Sequence, residues 1–76
     1  MTTTITSAEQ GLRDSVVRQL DAEPSFDASM IGVTSSDGVV TLSGYVDTYF
    51  ARLAAERAAR RVYGVKAVAN DITISI

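Results

Sequence analysis

The spacing of apolar residues switches along this chain from helical, to two-residue, back to helical, and to two-residue again. Leu12, Val16 and Leu20 recur every four positions, Val17 widens the stripe and Ala8 extends it. Arg13, Asp14, Arg18 and Asp21 fall on the opposite side, so the segment reads as an amphipathic helix. Thr6-Ser7-Ala8-Glu9 fits a capping box at its start. Pro24 disfavours helical geometry at Glu23. A helix over residues 7–22 follows, preceded by a loose tail at residues 1–5.

The next stretch, SMIGVTS, predicts a strand with Ile31 and Val33 turned inward. Asp37-Gly38 then supplies a tight turn, since both residues tolerate the positive φ that short hairpins need. VVTLSGYV returns as a second strand, Val40 and Leu42 facing the core and Thr41, Ser43 and Tyr45 facing away. Gly44 marks a bulge or a close helix approach near the strand's end.

Asp47 or Thr48 can cap a second helix running to Tyr63, with Gly64 as its left-handed C-terminal cap. On a helical wheel Phe50, Ala51, Ala54, Ala55, Ala58, Ala59 and Val62 share one side, small enough to lie close against a sheet. Finally, Val68, Ile72, Ile74 and Ile76 alternate with Ala69, Asp71, Thr73 and Ser75. Asn70 lands on the apolar face of that strand, where its amide must find partners and reads as a structural tie to a neighbouring loop. The order α-β-β-α-β, with one apolar face per strand, predicts an α+β fold. It is a two-layer sandwich in which both helices cover one face of a mixed three-stranded sheet, with a right-handed crossover through the second helix. Residues 6–76 form a single domain in this reading.

Composition removes more functions than it suggests. The 76 residues include neither cysteine nor histidine. Disulfides, thiolate metal sites and the commonest general base are therefore absent, and no acid–base constellation replaces them. An enzyme is not expected, nor a cofactor, nor a metal site. A net charge of −2 argues against nucleic acid as a partner. No apolar run approaches the ~20 residues of a membrane span. The opening MTTTITSAEQ lacks the features of a secretory signal, which makes the chain as written cytoplasmic, or periplasmic if a leader has been trimmed.

Charge is nevertheless uneven. Arg52, Arg57, Arg60 and Arg61 against Glu56 leave the second helix with a net +3, so the remainder carries −5. Together with Tyr49, Tyr63 and an exposed Leu53, the arginines resemble an interfacial surface for anionic headgroups. The plain alternative is a solvated face held by the i,i+4 pairs Arg52–Glu56 and Glu56–Arg60. The open sheet face, with Thr41, Ser43, Tyr45, Asp71, Thr73 and Ser75, could seat another domain. Asp37 and Asp47 could offer oxygens to a hard cation, although their spacing matches no calcium loop.

Taken together, DGVVTLSGYV, RLAAERAARRVYGV and VKAVANDITI in this element order resemble the BON domain over nearly the whole chain. The resemblance implies a non-enzymatic bacterial module, single or in tandem, in envelope or osmotic-stress physiology and proposed to bind phospholipid. Gly38, Gly44, Gly64 and Asn70 match the family's framework positions. Three functions stand open: a membrane-associated module contacting anionic phospholipid through the second helix, an assembly or scaffolding module, and a cation-responsive binder. The expected partner is an anionic membrane surface or another protein domain.

Overall fold

The computed structural model describes residues 7–24 and 27–75, with residues 7–10 described by their backbone path alone. The tail at residues 1–5, the capping box of Thr6, Ser7 and Glu9, the extension of the stripe to Ala8, and Ile76 lie outside what is described. The elements are α1 (Ser7–Asp21), β1 (Ile31–Ser36), β2 (Val39–Val46), α2 (Tyr49–Arg60) and β3 (Ala67–Ile74). This is the predicted α+β order, and the sheet is mixed. β2 lies in the centre, antiparallel to β1 and parallel to β3.

Central placement makes β2 the floor of the core. Val40 and Leu42 are fully buried beneath Val16 and Leu20 of α1 and the alanine stripe of α2. Each of these larger side chains contributes about 1.5–3 kcal/mol by leaving water. Ala51, Ala55, Ala58 and Ala59 are buried as the wheel predicts, but Phe50 is 83% exposed. The alanines bring α2 close to the sheet, and a ring at the border of that stripe has no space between the layers. On β3 only Ile72 is fully inside, while Val68 and Ile74 are half-buried because β3 is an edge strand.

Three local features differ from the pattern-based reading. Ala28–Met30 form a 3-10 turn in front of β1, so the strand starts two residues later than SMIGVTS suggests. Asp27 caps that turn, its carboxylate accepting from the Ser29 N–H at 2.9 Å, and this bond holds the Asp27 pKa below the ordinary value. The regular part of α2 ends at Arg60 rather than Tyr63. Arg61 N–H is shared between the Arg57 and Ala58 carbonyls, and i+3 bonds at Val62 and Val65 tighten the exit. Gly64, with φ +98°, therefore occupies the turn closed by Val65→Val62, one turn beyond the helix.

Gly44 is the tightest point of the scaffold. The β1–β2 register runs unbroken through Ile31↔Gly44, so there is no bulge. Instead a Cβ at Gly44, whose φ is +109°, would fall onto the Met30 carbonyl oxygen at the end of the 3-10 turn. At the other end of β2, Asp37 (φ 52°) and Gly38 (φ 81°) form the expected two-residue hairpin turn.

Candidate functional site

The four arginines of the second helical segment start from one sequence pattern and end in different places. At 3.6 residues per turn, Arg52 and Glu56 point towards the outer edge of β3, whereas Arg57 and Arg61 lie about 140–180° away from Arg52. Thr48 starts the helix by accepting from the Ala51 N–H at 3.0 Å, while Asp47 stays exposed and does not cap.

On the β3 side the charge is consumed by structure. Among the described residues β3 is the sheet's edge, and its outward backbone groups have no strand to pair them. Arg52 supplies the missing donors: Nε donates to the Ile72 carbonyl at 3.1 Å and Nη2 to the Asn70 carbonyl at 3.2 Å. Asn70 completes the arrangement. Its Nδ2 donates to the Arg52 carbonyl (3.1 Å) and to Glu56 Oε1 (3.2 Å), and its Oδ1 accepts from the Ile72 N–H (3.2 Å). Asn70 thus ties β3 to α2 rather than to a loop, and it is half-buried. Glu56 Oε2 meets Arg60 Nη2 at 3.0 Å, the expected i,i+4 pair, whereas Arg52–Glu56 does not form because Arg52 has turned to the strand.

The other side is different. Arg57 and Arg61 line a groove of about 210 Å³ with Phe50, Leu53, Ala54, Ala58 and Glu23. Both arginines are exposed and enter no ion pair among the described residues. Leu53, read as an exposed residue, is half-buried in this groove. Phe50, read as core, is its open end. No sequence signal separates Phe50 from the stripe it borders. Tyr49 and Tyr63 are exposed at opposite ends of the helical segment, Tyr63 almost completely, and neither lines the groove.

The remaining candidates separate cleanly. Asp37 and Asp47 flank the two ends of the eight-residue β2, on the order of 25 Å apart, and cannot share a cation. Among the described residues no group of three or more acidic side chains could hold a metal ion. None of the described helices is long and apolar enough to cross a membrane. On the open sheet face Ser43, Tyr45, Asp71, Thr73 and Ser75 are exposed and Thr41 half-buried.

A two-layer α+β scaffold with an apolar groove and two arginines on its rim has the form of a small binding-type module. The match to known proteins agrees with that class. The BON domain model covers residues 8–75, and the chain belongs to the BON domain family, whose domains are of the non-enzymatic, binding type. No curated protein matches the chain.

Proposed function

We propose that this BON domain is a membrane-associated module that contacts anionic phospholipid headgroups through Arg57 and Arg61. One observation carries the reading: of the four arginines, these two lie beside an apolar groove with their guanidinium groups uncommitted among the described residues. Guanidinium forks suit phosphate oxygens, and Leu53 and Phe50 offer apolar surface at interfacial depth. The setting in envelope or osmotic-stress physiology is supported by the family alone. Each cation adds only ~1 kcal/mol near an anionic surface, so binding by one domain is weak and reversible, and tandem copies would strengthen it through avidity.

Co-sedimentation with phosphatidylglycerol-containing vesicles tests this. Binding should require the anionic lipid, weaken with salt, and fall at least about tenfold when Arg57→Glu and Arg61→Glu are combined. Binding that ignores lipid charge, or survives the double reversal, overturns the proposal. A second reading, docking of another protein domain on the open sheet face, rests on the exposed row Ser43, Tyr45, Asp71 and Thr73. Amide shifts induced by a neighbouring domain should then map to β2 and β3, and shifts confined to α2 would exclude it.

A further inference from the structure

The middle of the outer β3 edge is closed by side chains. Ile72 has its carbonyl taken by Arg52 Nε at 3.1 Å and its N–H by Asn70 Oδ1 at 3.2 Å. Two residues earlier, the Asn70 carbonyl accepts from Arg52 Nη2 at 3.2 Å. Bonds to one neighbouring strand recur at every second residue, so these are the groups a fourth strand would use for its central rungs. The clasp is reciprocal. Arg52 reaches from α2 to the strand, and Asn70 reaches back to the Arg52 carbonyl and to Glu56.

Without the clasp this edge has the makings of a strand acceptor. Ala67–Ile74 is eight residues long, with β-branched Val68, Ile72, Thr73 and Ile74, no proline, and Asp71 as its single charge. Its register against β2 runs unbroken from Val39↔Ala67 to Val46↔Ile74, so no bulge bends it away. Shortness, proline and a bulge, which commonly protect a sheet edge, are all missing here.

We propose that Arg52 and Asn70 act as a lock on the β3 edge, which keeps this chain from pairing its sheet with that of a second copy. The strand shut out is β3 of another molecule. Two β3 edges laid antiparallel about a two-fold axis normal to the sheet present the same groups to each other. They would join two three-stranded sheets into one of six strands, with every helix on the same face. Each molecule carries its own copy of this strand, so the hazard grows with the chain's own concentration. The lock is independent of the lipid reading, since Arg52 does not line the groove of Arg57 and Arg61.

Sedimentation velocity from about 10 μM to about 1 mM, the range of weak association, compares the wild type with Arg52→Met. Methionine keeps an apolar stem but has no donors. The association constant of the variant should exceed that of the wild type at least about tenfold, and should depend little on salt, because backbone bonds hold the copies. Amide shifts that grow with concentration should map to Ala67–Ile74. Circular dichroism checks the fold; if Arg52→Met is unfolded, Asn70→Ser opens the same edge from the strand side and is read in the same way. Arg57→Met, on the groove side, should associate no more than the wild type. A folded lock variant that associates no more than the wild type, an equal gain from Arg57→Met, or shifts confined to β1 or to the groove would overturn the proposal.

Discussion

Arg52 and Arg57 are the same residue type on the same helix, five positions apart, and the fold gives them opposite tasks. Arg52 faces an unpaired strand edge and spends its donors on the Ile72 and Asn70 carbonyls. Arg57 faces a groove and has no ion pair among the described residues. A net charge summed over a helix therefore says little about binding. What matters is which of its charges the scaffold has already used, and on α2 the β3 edge uses Arg52 while Glu56 engages Arg60.

The comparison can be removed at its root by disturbing the scaffold both sides share. Gly44→Ala puts a methyl group onto the Met30 carbonyl and strains a positive φ, with an expected loss of about 3 kcal/mol or more, enough to unfold much of so small a domain. Urea denaturation would measure it, and a near-normal midpoint would show that the 3-10 turn yields easily.

Next in size is the contrast itself. Arg52→Ala and Asn70→Ala each strip bonds from the β3 edge and should cost about 1–3 kcal/mol, whereas Arg57→Ala should stay within about 0.5 kcal/mol. If Arg52 and Arg57 truncations shift the urea midpoint equally, the division of labour is wrong. A double-mutant cycle on Arg52 and Asn70 should show clear coupling, because the two side chains serve the same short stretch of strand.

The smallest effect sharpens the boundary between the two sides. Arg60 belongs to the structural side through Glu56, but its side chain is 64% exposed. Arg60→Ala should therefore change stability by no more than about 0.5 kcal/mol, and by nothing measurable in 1 M salt. A salt-independent loss larger than that would place Arg60 inside the Asn70 network.

Much of this architecture is legible in the chain. The four-residue spacing of Leu12, Val16 and Leu20, the alternation around Val40 and Leu42, and the Asp37-Gly38 turn encode local periods, which survive in any compact fold that buries one face. The misreadings share a different cause. Phe50 lies at the border of a stripe, and its fate depends on how near α2 comes to the sheet. The role of Gly44 and the partners of Arg52 likewise depend on neighbours distant in sequence. Asn70 stood out as a polar residue on an apolar face, but its partners at Arg52 and Glu56 are 14–18 positions away.

The sequence by itself determined the element order, the core-facing positions and a basic second helix, because each follows from residue type and local period. Only the tertiary structure decided which arginines remain available. Hydrogen-bond satisfaction at an edge strand is a non-local condition, and Arg52 meets it only once β3 has docked beside α2.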